Sequence, residues 1–440
     1  MKRIRITIKK EKKESSIHIG LVIYLFLFLF APPLIKGVNF GIIVAVLSVP
    51  YLLYFFSDVV RIFFKSRMKV WVIGELVYLV YMLVVAFIYY MIGEGVNSNN
   101  YIVNVYQVFM IIPITLLGVL TILLFCKRNY IYFDSLLKHF IIAAFIQSGM
   151  AIGAFLSPAI KQFFLVTMIK NTGDEILTRV YLTNLRFFGF SNSMLDAFGV
   201  GTGILAALPL YINSDDRKKY LFFIPALIVV PLLNARTGLI IFAVGVFLVF
   251  IKRAYSGKEI LKIMGIFLII VVIVAILLSF LNSRYPMTYR WIVRDFFAFL
   301  GSGYRDQTST LTVLFSENFW TLPKLPDIVF GTGHTVYQAE GFTHSDVGYV
   351  NKIWNVGIVG MLFQYGIYGL CFYRAGKSST NSAQVRLIAF FVATFFIYEI
   401  KGNMLTFTPG LTIIMTVVFY MISDKQMKYA GTANWEDKDE

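Results

Sequence analysis

Apolar runs long enough to cross a lipid bilayer recur along almost the whole chain, from Ile17 to Ile422. A membrane-spanning helix needs roughly 18 or more such residues with few charges. No water is present in the hydrocarbon core, so a segment that is not part of a closed barrel must satisfy its backbone as a helix. The chain is 58% hydrophobic, whereas soluble domains are about 45–50% apolar. The pattern predicts an all-α, polytopic membrane protein.

The apolar runs predict about twelve transmembrane helices. We place them near residues 17–35, 38–56, 70–92, 105–126, 139–158, 191–212, 220–233, 238–251, 263–281, 347–371, 386–401 and 404–422. A polar break, Asn234 to Gly238, separates the short seventh and eighth helices. Residues 17–422 thus form one transmembrane domain between a basic cytoplasmic segment at 1–16 and a cytoplasmic tail at 423–440.

Basic residues predict the orientation of the chain in the membrane. Residues 1–16 hold seven Lys or Arg, and further basic clusters follow every second predicted span. Cytoplasmic loops carry an excess of Lys and Arg, which predicts that both termini are cytoplasmic. The net charge of +16 is then mostly a feature of topology, and a nucleic-acid partner is not expected. The first run is an anchor rather than a signal peptide, because it is long and lacks a small-residue cleavage site.

Two predicted outer loops are much longer than the others, at about 159–190 and at 282–346 between helices nine and ten. Long loops in a compact bundle usually carry function. Within the second loop, Tyr289 to Leu300 mixes aromatic and polar residues as an interfacial helix does. Arg290 and Arg294 would lie one turn apart on one face of that helix.

Arg236 is the most informative single residue, because it lies between two apolar runs. An arginine at the bilayer centre costs about 2.5–3.5 kcal/mol on insertion scales. The functional interpretation is that it faces a cavity and binds an anion, for which the planar guanidinium suits phosphate oxygens. The alternative is an arginine that reaches the interface from a shallow turn.

A second motif, Arg186-Phe-Phe-Gly-Phe-Ser-Asn192, leads from the first long loop into a helix. Ser191 or Asn192 would cap that helix, whose positive N-terminal end attracts anions. Alternatively, Arg186 is an interfacial anchor.

A third motif begins at Gly331-Thr-Gly-His334 and continues to His344 and Asp346, just before the tenth predicted helix. A histidine and an aspartate at a helix mouth can deprotonate or orient a sugar hydroxyl. The alternative is that Ser345 or Asp346 caps the helix and His344 is exposed. No Cys or Glu stands at metal-ligand spacing, so no metal site is predicted.

Together these motifs resemble the O-antigen polymerase and ligase superfamily, and the Wzy-type polymerases in particular. Arg186-Phe-Phe-Gly189-Phe-Ser-Asn192 is similar to the family's Arg-x-x-Gly-x-x-Asn, and Asn234-Ala-Arg236-Thr-Gly-Leu is similar to its arginine hairpin. The run from Gly331 through His344, Asp346 and Tyr349 to Gly357-Ile-Val-Gly360 is similar to the family's entry into the next helix. The order of the motifs and the topology agree over nearly the whole chain.

The resemblance implies glycan transfer from undecaprenyl diphosphate to a sugar hydroxyl, at the periplasmic face of a bacterial inner membrane, without a metal or cofactor. It implies that Arg236 binds the diphosphate and that Asp346 or His344 orients or deprotonates the acceptor. The spacing to Gly357 favours Asp346. Further implied substrate-binding residues are Arg186, Asn192, Arg290, Arg294 and Tyr349. The implied partners are lipid-linked oligosaccharides, membrane lipid and, as a candidate, a chain-length regulator.

Two other functions stay open. One is the ligase that moves a finished glycan to the lipid A core, and the other is a polysaccharide flippase or other transporter. Transporters more often place carboxylates and broken helices near the membrane midplane. Acids within the predicted spans are scarce: Glu75 lies within the third, and Glu399 lies near the outer end of the eleventh, beside Lys401. Because most polar motifs fall on the outer side, the sequence favours the polymerase.

Overall fold

The computed structural model describes residues 17–34, 40–65, 68–92, 116–172, 186–191, 195–214, 216–234, 237–250, 257–299, 317–333, 345, 347–402 and 409–423. Within these residues the regular structure is helical, with no β-strand. The predicted all-α class is confirmed.

The helices of the first part of the chain are α1 (Ile19–Phe30), α2 (Phe40–Leu47), α3 (Val49–Tyr54), α4 (Phe56–Lys65), α5 (Met68–Ile92), α6 (116–128), α7 (Phe133–Leu156) and α8 (Pro158–Thr172). The next are α9 (Leu195–Ala207), α10 (Arg217–Leu221), α11 (Ile224–Asn234), α12 (Thr237–Phe250), α13 (Gly257–Arg284) and α14 (Pro286–Phe299). The last are α15 (Asp327–Phe330), α16 (Gly348–Ser378), α17 (Ser382–Glu399) and α18 (Pro409–Ser423).

Four of the described helices are long and apolar enough to cross a membrane: Lys69–Ile92 in α5, Phe133–Leu156 (α7), Gly348–Ser378 (α16) and Ser382–Glu399 (α17). A fifth candidate span would consist of α2, α3 and α4, although the chain bends there by 99°. Several other apolar helices are shorter than the predicted spans. For example, α1 has 12 residues, because Ala31 adopts a left-handed conformation and two prolines follow it.

Close backbone contact joins the central helices. The helix α9 packs against α11 and α12, α12 packs against α17, and α16 packs against α5. A side chain on Gly203 of α9 would collide with the backbone of Gly238 in α12, and one on Gly238 would collide with Gly199. Small residues allow membrane helices to approach closely in this way.

The structure has counterparts of one predicted break and one predicted loop helix. The helix α11 ends at Asn234 and α12 begins at Thr237, and residues 235–236 lie outside the described part. The predicted interfacial helix corresponds to α14, which begins at Pro286 because proline suits the first helical position. The predicted loop at 159–190 is helical in its first half, as α8. In the predicted loop at 282–346, residues 300–316, 334–344 and 346 lie outside the described part of the chain.

Candidate functional site

The segment 186–191 holds the first part of the Arg186 motif and has no helical structure. Its backbone is held by side chains of two helices. Asn234 of α11 accepts a bond from the Phe187 amide at 3.0 Å and donates one to the Phe187 carbonyl at 2.7 Å. Gln147 of α7 donates to the Phe188 carbonyl. Because Asn234 begins the arginine-hairpin motif, the first two motifs of the sequence are in contact.

Two further residues fix this segment. Gly189 has φ of +68°, a conformation that favours glycine, and a Cβ there would lie 2.9 Å from the amide nitrogen of Ala151 in α7. The Ser191 hydroxyl donates to the Phe30 carbonyl in the last turn of α1 at 3.0 Å. The segment is therefore wedged between α1, α7 and α11.

Phe187 is the centre of an aromatic cluster and is 1% exposed. Its ring packs edge-on against Phe155 and Tyr285, with centroid distances of 5.4 and 5.1 Å. Lys161 of α8 places its Nζ atom 4.1 Å from the Phe187 ring centroid and 5.6 Å from that of Tyr285. Aromatic faces attract cations, so the cluster holds an ammonium group over apolar surface.

Arg186 lies beside an aromatic ring of α14, with its Cζ atom 5.1 Å from the Trp291 ring centroid. Arg290 precedes Trp291, Arg284 precedes Tyr285, and both arginines are exposed. We use the name cationic cluster for two residues that lie over these rings, Lys161 and Arg186, together with two that adjoin the rings in sequence, Arg284 and Arg290. An open hollow of about 630 Å³ adjoins it and is lined by Pro158, Phe280, Ser283, Arg284 and Tyr285.

The cationic cluster has the chemistry to bind an anion with several charges. In the part of the chain that the structure describes, no carboxylate lies within ion-pair distance of Lys161. Burial lowers the pKa of Lys161 to about 8, because loss of water disfavours the charged form. The helix α8 is not among the candidate spans. A bound anion would stabilise the charged form of Lys161 and would in turn be held by it.

A short loop docks against a break in α16. The amides of Thr332 and Gly333 donate to the carbonyls of Trp354 and Asn355 at 2.6 and 3.0 Å. In an unbroken helix these carbonyls would accept bonds from amides four residues later. Gly357 leaves the helical conformation, with φ of 67° and ψ of 178°. The loop therefore supplies bonds that the helix lacks, and the two ends of the third motif are in contact.

Glycine is required on both sides of this contact. Gly331 and Gly357 have φ of +85° and +67°, and a Cβ on Gly331 would lie 2.5 Å from the Gly357 nitrogen. The Tyr81 hydroxyl of α5 lies 3.1 Å from the carbonyl oxygens of both Phe330 and Val356. One tyrosine thus bonds the loop and the broken helix together.

The structure describes only part of the predicted site. Tyr349 lies in the first turn of α16, and its hydroxyl donates to the Phe396 carbonyl of α17 at 3.0 Å. Arg294 lies in α14, but its side chain is outside the described part. Four predicted site residues are wholly outside it: Asn192, Arg236, His344 and Asp346. Their roles stay predictions, and no contact of Tyr349 with the cationic cluster is seen.

A buried ion pair in the candidate spans is absent from the sequence prediction. Lys352 of α16 donates to a Glu399 carboxylate oxygen of α17 at 2.6 Å, and the two side chains are 1% and 0% exposed. Tyr365 donates to the other carboxylate oxygen at 3.2 Å. Lys352 also lies over the Tyr365 and Phe395 rings, at 4.8 and 5.6 Å. The sequence points to Lys401 as the neighbour of Glu399, whereas its partner is 47 residues away.

The sequence also does not identify Lys161, because the two rings it lies over, Phe187 and Tyr285, come from distant parts of the chain. Within the described residues, no group of three or more His, Cys, Asp or Glu is placed to hold a metal ion. Comparison with known proteins gives no family assignment: no family model matches the chain, and no curated protein matches it.

Proposed function

We propose that the chain is a polymerase of a bacterial surface polysaccharide. It transfers a glycan from undecaprenyl diphosphate to the hydroxyl of another lipid-linked repeat unit. The observation that carries the proposal is the pair of hydrogen bonds, at 3.0 and 2.7 Å, between Asn234 and the backbone of Phe187. In the sequence, Arg186 precedes Phe187 and Arg236 follows Asn234 by two residues. The family resemblance assigns both arginines to the diphosphate.

The proposal includes about twelve spans, the long periplasmic loop between helices nine and ten, and both termini in the cytoplasm. The four or five candidate spans among the described residues support a membrane setting. Reporter fusions test the orientation. A fluorescent protein that folds only in the cytoplasm should be bright when fused after Ser378, and alkaline phosphatase should be active when fused after Phe330.

In the proposed reaction, the acceptor hydroxyl oxygen attacks the anomeric carbon, and the bond from that carbon to the diphosphate oxygen breaks. The diphosphate leaves with the bonding electrons, and the hydroxyl proton passes to Asp346 or His344. Negative charge grows on the leaving group as the bond breaks. Charged hydrogen bonds of about 1.5–3 kcal/mol each from Arg236 and the cationic cluster would favour that change. The configuration at the anomeric carbon is inverted.

Reconstitution tests this chemistry directly. Purified protein in liposomes, given lipid-diphosphate repeat units, should lengthen the glycan without ATP. Arg236→Ala and Arg186→Ala should each lower elongation, by roughly 100-fold or more for Arg236. Arg236→Lys should restore little of the elongation activity, because lysine lacks the planar guanidinium that donates two hydrogen bonds to phosphate oxygens. Arg128→Ala is the matched control, since Arg128 lies over Phe55 at 4.0 Å, away from the cationic cluster. Full activity of both Arg236 variants would remove Arg236 from the mechanism.

The ligase alternative differs in its acceptor. A strain that lacks the polymerase should carry lipid A core with a single repeat unit, whereas a strain that lacks the ligase should carry bare core. Bare core in the deletion strain would replace our assignment with the ligase.

A transporter is a second candidate that one observation favours. The buried Lys352 and Glu399 pair and the helix break at Gly357 lie within candidate spans. Broken helices and intramembrane ionisable residues are typical of secondary transporters. Movement of the lipid-linked substrate across the liposome membrane, without any lengthening of the glycan, would support the transporter. Lengthening of the glycan when the lipid-linked substrate is present on one side of the membrane only would support the polymerase.

A further inference from the structure

Glu75 is a second buried acid in the bundle, and the proposed reaction does not use it. It lies in α5, inside a candidate span, and is 7% exposed. In the described part of the chain, its Oε1 atom is buried and has no hydrogen-bond partner. Most buried polar atoms do have a partner, so this oxygen requires an explanation.

The surroundings of Glu75 are rich in hydroxyl groups. The indole nitrogen of Trp71 donates to the Tyr368 hydroxyl at 3.2 Å, and this hydroxyl interacts with the Glu75 carboxyl group. Tyr78 lies within electrostatic range of Glu75 and also of Glu399. These contacts join α5 to α16 and connect Glu75 with the buried ion pair.

The other ionisable groups near Glu75 leave its charge without a full counterion. Lys352 acts on Glu75 electrostatically, but its ammonium group bonds Glu399 at 2.6 Å. Cys371 of α16 is also within electrostatic range of Glu75 and carries no positive charge. On α4, which packs against α5, Asp58 is paired with Lys127 and Arg128 at 3.4 and 3.2 Å.

Charge balance then decides the state of Glu75. With Lys352 and Glu399 both ionised, their charges cancel, and an ionised Glu75 would add one net negative charge to a membrane interior. Ionised side chains inside a membrane are expensive and normally have a partner. One proton on Glu75 removes that charge, and it also converts a carboxylate oxygen into a hydroxyl group.

We propose that Glu75 is a proton-binding site within the helical bundle, and that it holds its proton while Lys352 and Glu399 form the ion pair. Protonation forms one O–H bond on the Glu75 carboxylate and changes no other covalent bond. The Tyr78 hydroxyl is within electrostatic range of both Glu75 and Glu399, and the Tyr365 hydroxyl donates to Glu399, so both provide groups through which a proton can exchange. The proposal is independent of glycan transfer.

Infrared difference spectroscopy of the purified full-length protein in detergent tests the site. A protonated carboxylic acid has a carbonyl stretch that a carboxylate lacks. We expect such a band at neutral pH, and we expect it to be lost in Glu75→Gln and kept in Asp58→Asn. Identical carbonyl bands in the wild type and in Glu75→Gln would overturn the proposal.

Two further measurements extend this test, and the first of them does not require Glu75→Gln to fold. Labelling the wild-type protein with ¹³C-glutamate should shift the carbonyl band, without any substitution, and an unshifted band would also overturn the proposal. Glutamine resembles a protonated glutamate, so Glu75→Gln should change the unfolding temperature by less than about 3 °C between pH 6 and pH 8. A variant that fails to fold would indicate that Glu75 is an ionised partner of Lys352.

Discussion

Two lysines of the chain each lie over two aromatic rings, but their surroundings differ. Lys352 bonds Glu399 at 2.6 Å, deep inside the bundle. Lys161 has no carboxylate within ion-pair distance among the described residues. Aromatic faces position a cation in both places, and the carboxylate determines whether its charge is already balanced. We therefore expect Lys352 to act in stability and Lys161 to act in binding.

The largest effect should come from the buried pair. Lys352→Met leaves Glu399 buried without its cation, which should cost about 3–5 kcal/mol of stability. Thermal unfolding in detergent, with size-exclusion chromatography as the readout, measures this loss of stability. Replacing both Lys352 and Glu399 with methionine should recover most of it, because no unpaired charge remains. An equal loss of stability in the single and the double variant would contradict the role given to the pair. Lys161→Met, as the comparison, should lose far less stability than Lys352→Met.

The contact between the Gly331–Gly333 loop and the break in α16 stabilises the half of the helix that carries Lys352. Gly357→Ala places a Cβ against the Val329 backbone at a positive φ, and such strain costs about 1–3 kcal/mol. Gly366→Ala is the matched control in the same helix, because an added Cβ there meets nothing within 4 Å. It should be neutral or stabilise by about 1 kcal/mol. Similar unfolding temperatures for the two variants would show that the break is not needed.

In the region of Lys161, the Asn234 side chain positions the cationic cluster through its hydrogen bonds to the backbone of Phe187. Asn234→Ala leaves a buried amide and a buried carbonyl without their partner, which should cost about 1–3 kcal/mol. It should also weaken the binding of inorganic pyrophosphate, measured by isothermal titration calorimetry, because Arg186 precedes Phe187. Asn129→Ala, which removes a local bond to the Phe125 carbonyl at 2.9 Å, is the control and should bind normally. Unchanged pyrophosphate binding in Asn234→Ala would show that the contact between Asn234 and Phe187 is not needed for anion binding.

The smallest effect should be the pH dependence of Lys161. Its pKa is lowered from 10.5 to about 8 by burial, so pyrophosphate binding should weaken as the pH rises through about 8. Stability should change in the opposite direction. The unfolded chain binds more protons than the folded one between these two values, so the contribution of Lys161 to stability rises with pH there and is lost as the pH falls through about 8. Lys161→Met should remove both trends, and Lys161→Arg should keep binding at higher pH.

The sequence predicts the fold class because hydrophobic run length depends only on local composition. It also predicts the break after Asn234, where polar residues interrupt the apolar pattern, and a helix at Tyr289 to Leu300, whose counterpart in the structure is Pro286–Phe299. It does not predict the break at Gly357, since one residue with positive φ leaves hydrophobicity unchanged on both sides.

Prediction of the candidate site has a similar limit. The motifs identify Arg186, which lies in the cationic cluster, because they record short-range spacing. Lys161 and Lys352 are recognised only from partners that are distant in sequence: the Phe187 ring for one and Glu399 for the other. Neither partner leaves a signal near the lysine itself.

The loop that docks on α16 should fold and unfold together with that helix. Besides the bonds from Thr332 and Gly333, the Trp354 indole donates to the Thr321 carbonyl at 3.0 Å, and Ser345 donates to the Phe319 carbonyl at 2.6 Å. If the loop detached, helix carbonyls would be exposed inside the bundle. The loop and the first turns of α16 should therefore open and close as one cooperative unit. An irregular segment would then be protected against deuterium exchange as strongly as the helix beside it.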